Sequence, residues 1–210
     1  MPSRRTCSIL LSLCLAIAAI WVENAIARGL AEAPPKGINL SGEWQLNATL
    51  SDDVEKIMAE RRANLRERFE RERQAHRRRT STDDDLYNPP LFLLDKDFAQ
   101  PFKAPVHIAI SQSGRRFLTK TTAANGDVNT EQYEAGSKSV TSFGAGFADR
   151  DTGWRDKAFV ISLRAAGQEL RKEERYSLGP NGRLVMVTAF SGGDLPKVEI
   201  RSVYDPSGVD

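Results

Sequence analysis

Between positions 106 and 204 the chain alternates apolar and polar residues in short runs, at 106–112, 116–122, 128–134, 138–142, 158–164, 168–177, 183–191 and 198–204. Turn-forming residues fill the intervals: Ser113-Gly114, Asn125-Gly126-Asp127, Gly136-Ser137, Ala166-Gly167, Gly179-Pro180-Asn181-Gly182 and Ser191-Gly192-Gly193-Asp194. A period of two, broken by turn signals, predicts antiparallel hairpins in chain order. No helical stretch separates the runs, which argues against the crossovers of a parallel sheet. One earlier run, 42–46, adds a strand at the front. The reading is a mainly β chain whose eight to nine strands form an antiparallel up-and-down barrel, closed so that no edge is left.

The pattern changes between the first run and the second. Val54, Ile57, Met58, Leu65 and Phe69 fall on one helical stripe, interrupted by Arg61 and Arg62. Asp52 with Glu55 three residues on reads as a capping box, and Arg77, Arg78 and Arg79 suit the carboxyl end of a helix dipole. This predicts one long helix over 52–79, inserted after the first strand. Its first turns pack on the body and its later turns face solvent, with Glu67 and Arg71 paired one turn apart. Residues 80–105 form an irregular connector with prolines at 89, 90, 101 and 105. The apolar patch Leu91-Phe92-Leu93-Leu94 within it is expected to dock as a plug over an opening in the core.

Residues 1–27 read as an export signal. Arg4 and Arg5 precede an apolar run at 8–22, and Ala25-Ile26-Ala27 is a small-x-small site for cleavage. The run is shorter than the roughly 20 residues of a spanning helix. The expectation is cleavage after Ala27, no transmembrane segment in the mature chain, and a periplasmic or secreted protein. Residues 28–37, with Pro34-Pro35, read as a linker, and 38–210 as a single domain. Both cysteines, Cys7 and Cys14, lie in the leader, so the mature chain has no disulfide, thiol nucleophile or thiolate-bound zinc. Losing two arginines and one glutamate takes the formal charge from +2 to +1. Near-neutrality and export together exclude nucleic acid as the expected partner.

Searches for chemistry in the sequence return little. His76 and His107 stand alone on separate elements, without metal-ligand spacing. Asp83-Asp84-Asp85 lacks the alternating ligands, glycine and closing glutamate of a calcium loop. Gly144-Ala145-Gly146 lacks the Lys-Ser/Thr of a phosphate loop and reads as a bend between strands. Gly-x-Ser-x-Gly is absent. No catalytic residue, metal or cofactor is expected, and the chain reads as a non-enzyme.

One run resists simple assignment. In Gln168–Leu178, Leu170, Lys172, Glu174 and Tyr176 share one face, and Arg171, Glu173 and Arg175 the other. Neither is clearly apolar, although a barrel strand normally turns an apolar face inward. If Lys172, Glu174 and Tyr176 point inward, they form a polar site for a ligand head group. If they point outward, the strand is solvated and laced by cross-strand ion pairs, the commoner outcome for such a pattern. With Phe117 and Phe159, and with Ile161 and Val185 as further lining, these three are the candidate ligand contacts.

Gly42-Glu43-Trp44 resembles the Gly-x-Trp that opens the first strand of lipocalin-like (calycin) barrels. The order of strand, helical insertion and meander is similar to the fatty-acid-binding branch of that superfamily. The start "SGEWQLN" and the end "VYD" also resemble small exported bacterial proteins. The resemblance implies that a basic residue on the last strand, here Arg201, packs across Trp44 as a structural plug of the closed end. The branch's arginine and tyrosine for a carboxylate would fall on Arg201 and Tyr204, but three residues apart on a strand they face opposite ways. What the resemblance implies is an exported barrel that binds a small amphipathic or lipidic molecule. The alternative is a structural or interaction module of the cell envelope, with a filled barrel and the charged helix meeting a protein partner.

Overall fold

The computed structural model describes residues 29–79, 102–143, 146–165, 170–192 and 195–208. The order is β1 (Gly42–Leu46), α1 (Val54–Arg79), β2 (His107–Ser113), β3 (Arg116–Thr122), β4 (Val128–Glu134), β5 (Ser137–Phe143), β6 (Gly146–Arg155), β7 (Ala158–Ala165), β8 (Arg171–Leu178), β9 (Leu184–Gly192) and β10 (Leu195–Pro206). All ten strands form one antiparallel sheet in the spatial order β4-β3-β2-β1-β10-β9-β8-β7-β6-β5. β1 pairs with both β2 and β10, which rolls the meander into a nearly closed barrel. Residues 1–27, read as an export signal, the Asp83–Asp85 run and the Leu91–Leu94 patch lie outside the described residues.

Two expectations change. Among the described residues there are ten strands; the added one, β6, begins at the last glycine of Gly144-Ala145-Gly146, in a stretch that the pattern leaves without a strand. Its inward positions are Ala148, Arg150, Thr152 and Trp154, so it lacks the apolar alternation that marked the other strands. The barrel also does not close fully. β4 and β5 follow one another in sequence but stand at opposite ends of the sheet order, leaving a seam. At its lower end the Thr152 hydroxyl donates to Glu134 O at 2.7 Å and Gly136 N to Thr152 O at 2.7 Å.

The base is filled by aromatic side chains. Phe117 stacks on Phe159 with centroids 3.8 Å apart, and the Trp154 ring lies edge-on to both. Leu40, Trp44, Tyr133, Tyr176 and Tyr204 complete this core. Residues read as a linker help to close it. Ala31 exchanges two backbone hydrogen bonds with Trp154, at 2.8 and 2.9 Å, where β5 has ended and the edge of β6 is free. Gly153 makes that approach possible, since a Cβ there would stand 2.7 Å from Ala31 O.

Trp44 is buried, and its indole N–H donates to Leu40 O at 3.2 Å. Arg201 does not stack on it. Trp44 pairs with Pro206, far down β10 from Arg201. Arg201 itself faces outward and donates to Leu50 O at 3.1 Å. The plug is apolar packing, without a cation.

α1 covers the opposite end. Asp53, not Asp52, caps it, its carboxylate accepting from Lys56 N at 3.0 Å. Asp52 is tied instead to Arg201, through backbone and carboxylate bonds of 2.8 and 2.7 Å, which pins the helix start to β10. Met58 is buried against Phe102, Phe190, Val198 and Ile200, with Val54 and Ile57 at the margin. Beyond Met58 the helix is mostly exposed, and Glu67–Arg71 pair at 3.7 Å. Among the described residues no helix is long and apolar enough to cross a membrane.

Candidate functional site

Strand register decides which way β8 faces. Lys172 lies opposite Leu163 and Phe190, Glu174 opposite Ile161 and Thr188, and Tyr176 opposite Phe159 and Met186. Those partners belong to the interior, so Lys172, Glu174 and Tyr176 point inward. The outer face holds the cross-strand ion pairs, Arg155–Glu173 and Arg175–Glu199. The solvated reading therefore describes Arg171, Glu173 and Arg175, not the other three.

Inside, Lys172 Nζ is 2.7 Å from Glu174 Oε1, and the Tyr176 hydroxyl donates to Glu174 Oε2 at 3.2 Å. From β4, the Tyr133 hydroxyl donates to Glu131. From β6, the Arg150 guanidinium lies 5.5 Å from the Tyr133 ring centroid, and its Nε donates to Ser139 Oγ at 3.1 Å. Among the described residues Arg150 has no ion-pair partner, so its terminal nitrogens are free to meet a ligand. These groups surround a cavity of about 130 Å³ at the β4–β5 seam, lined by Glu131, Tyr133, Arg150, Lys172 and Glu174, with Ile161 and Leu163 as its apolar side.

Burial, reinforced by the Glu174 charge, pushes the Tyr176 and Tyr204 hydroxyls well above their ordinary range. Tyr133 is raised too, by burial first and then by its bond to Glu131. Three neutral phenols thus surround one carboxylate. Among the described residues the buried Tyr204 hydroxyl has no hydrogen-bond partner. Arg62 Nη1, on the underside of α1 one turn past Met58, is likewise buried without a partner.

The candidate contacts separate on this geometry. Lys172 and Glu174 line the cavity, and Tyr176 is tied to Glu174. Phe117 and Phe159 are base packing and are not among the cavity residues, while Ile161 is. Val185 pairs with Ser177 and Val203 on the outer face. Tyr204 points inward and Arg201 outward, as their spacing predicts. His107 faces outward, 3.2 Å from Glu43. Among the described residues no cluster of His, Cys, Asp and Glu could hold a metal. Glu131, Tyr133, Arg150 and Tyr204 were not anticipated as a site. Their signal was period-two spacing to apolar residues, Arg150 with Trp154 and Tyr204 with Ile200, which polar neighbours obscured.

The described residues thus form a ten-stranded antiparallel meander, rolled into a nearly closed barrel, with a helix after its first strand and Gly-x-Trp at the start. No family model matches the chain, and no curated protein matches it. Among solved structures it is similar to the REP1-NXSQ fatty acid transporter, at 10% identity, TM-score 0.49, over 81% of this chain and 98% of that one. It is similar to the zebrafish ileal bile acid-binding protein complexed with cholic acid, at 13% identity, TM-score 0.46, over 80% and 98%. Lipid binding protein 8 of Caenorhabditis elegans is similar at 12% identity, TM-score 0.48, over 81% and 99%. At such identities the likeness is one of fold.

Proposed function

We propose that this chain is an exported, non-enzymatic barrel that binds a small amphipathic molecule, with the polar head group seated beside Arg150, Lys172 and Glu174. The observation that carries the reading is the inward turn of Lys172 and Glu174 next to an unpaired guanidinium. Charged groups inside a barrel are costly to desolvate, and apolar residues of similar volume would hold the fold as well or better. A cavity of about 130 Å³ suits a head group, not a whole drug-sized ligand of several hundred Å³. The apolar remainder would lie past Ile161 and Leu163 toward the underside of α1. Arg150 favours an oxyanion head group, which its free donors can grip.

The test is native mass spectrometry of the protein purified from its own envelope, together with displacement of a fluorescent fatty-acid probe. The reading expects a co-purified mass, and probe binding weakened about tenfold by Arg150→Met. Absence of both a bound mass and saturable probe binding would overturn it. Export is tested by sequencing the mature amino terminus, expected at Arg28; an intact leader on the envelope protein would sink that part.

The filled aromatic base favours a second reading, an envelope interaction module that uses α1 as its partner surface. It expects deletion of 52–80 to abolish capture of a partner while the barrel still folds and the probe still fails to bind.

A further inference from the structure

We infer that the outer wall of the barrel carries a second site, separate from the interior, for a phosphate-bearing ligand. The outer faces of β8, β9 and β10, the β6–β7 corner and the segment at Gly29 and Ala31 enclose a groove of about 850 Å³. Its centre is Glu173, whose side chain is only 12% exposed although it lies on the outside of the sheet. Arg155 Nη1 reaches both its oxygens at 3.1 Å, Arg171 Nη2 stands at 3.4 Å and Arg175 Nη1 at 3.5 Å. Arg175 Nη2 and Lys197 Nζ share a second carboxylate, Glu199, at 2.7 and 2.9 Å, and these two cations hold its carboxyl below the usual range. Asp156 lines the groove as a second carboxylate beside Glu173 and has no ion-pair partner among the described residues.

A wall stabilised by cross-strand pairs needs one cation for each carboxylate. Here three guanidiniums converge on one. Each carries five N–H donors. Among the described residues Arg155 uses only Nη1, and Arg171 uses Nε, toward Ser162 Oγ at 3.2 Å, and Nη2. The remaining donors stay in a concave surface whose floor is small, at Ala189 and Ser191. Glu173 thus orients the forks, and the unused donors of neighbouring arginines match the several oxygens of a tetrahedral anion better than the two of a carboxylate. The groove is much larger than inorganic phosphate, so the phosphate is carried on a larger molecule.

The experiment uses the full mature chain at low salt, with pyrophosphate as calorimetric probe and Arg155→Gln, Arg171→Gln and Arg164→Gln as variants. Arg164 also faces outward, on β7, but does not line this groove. Saturable binding is expected, weakened about tenfold or more by the first two changes and unaltered by the third. Arg171→Lys keeps the charge and loses the fork; it is expected to weaken binding and serves if the glutamine variants do not fold. A sedimentation arm with phosphatidylglycerol vesicles separates the sources. Capture lost in the groove variants supports a lipid head group, and no capture with pyrophosphate binding retained supports a soluble phosphate compound. No saturable binding, or equal weakening by Arg164→Gln, overturns the site.

Discussion

Replacing Tyr204 by Phe removes one oxygen and keeps the ring. That ring is fully buried on the inner face of β10, opposite Leu46 and Leu184, and its hydroxyl has no partner among the described residues. A buried hydroxyl without a hydrogen bond costs about 1–3 kcal/mol. Removing it recovers that cost, less the few contacts the oxygen makes, so Y204F is expected to be about 1 kcal/mol more stable. For a chain of this size that raises Tm by about 2–4 °C. Urea unfolding at neutral pH reads the free energy directly. The alkaline limb adds a second readout. Burial and Glu174 raise the Tyr204 hydroxyl in the folded state, so as pH climbs past the unfolded value near 10 the unfolded chain loses its proton first and stability falls. Y204F is expected to lose less stability above pH ~10, because it lacks this group. A destabilisation of about 1 kcal/mol or more would refute the reasoning, since it would mean that the hydroxyl is hydrogen-bonded in the native protein.

Phe159→Ala is expected to cost about 3–5 kcal/mol in urea unfolding, because it empties the centre of the aromatic base; a cost under ~1 kcal/mol would mean that the base is not close-packed. Lys172→Met leaves Glu174 unpaired inside the barrel, and since the two side chains are 18% and 23% exposed the loss is expected near 2 kcal/mol, below that for a fully buried pair. Adding Glu174→Leu should recover most of it, and a cycle with no coupling would mean that the pair is solvated. Asp205 is held low by its bond to Arg183 and then by that to Asn47. Its contribution is therefore present above the unfolded value near 4 and is lost as pH falls toward the lower folded value. Arg183→Gln should flatten the acid limb of the stability curve, and an unchanged limb would remove this pair from the acid transition.

The strands with alternating apolar residues were legible because one face of each is buried, which stamps a period of two on the sequence. β6 escaped notice because its inward face carries Arg150, which lines the cavity, and Thr152, which bonds Glu134 O across the seam, so apolar alternation is missing there. The same held for β8. With charge on both faces, composition could not say which side faced in, and the register with Phe159, Ile161 and Leu163 decided it. Asp52 read as a helix cap because its spacing to Glu55 is right, but the backbone of Arg201 competes for its carboxylate and Asp53 takes the cap.

Fold class, the place of the helix and the opposite facing of Arg201 and Tyr204 were all written in local pattern. Local pattern is enough there because strand parity and helix periodicity are properties of neighbouring residues. The seam between β4 and β5, the apolar plug at Trp44, the convergence of Tyr133, Arg150 and Glu174, and three arginines on Glu173 belong to the tertiary structure alone. Each depends on how the strands pair in space, where a register shift of one residue would exchange the inside of the barrel for the outside.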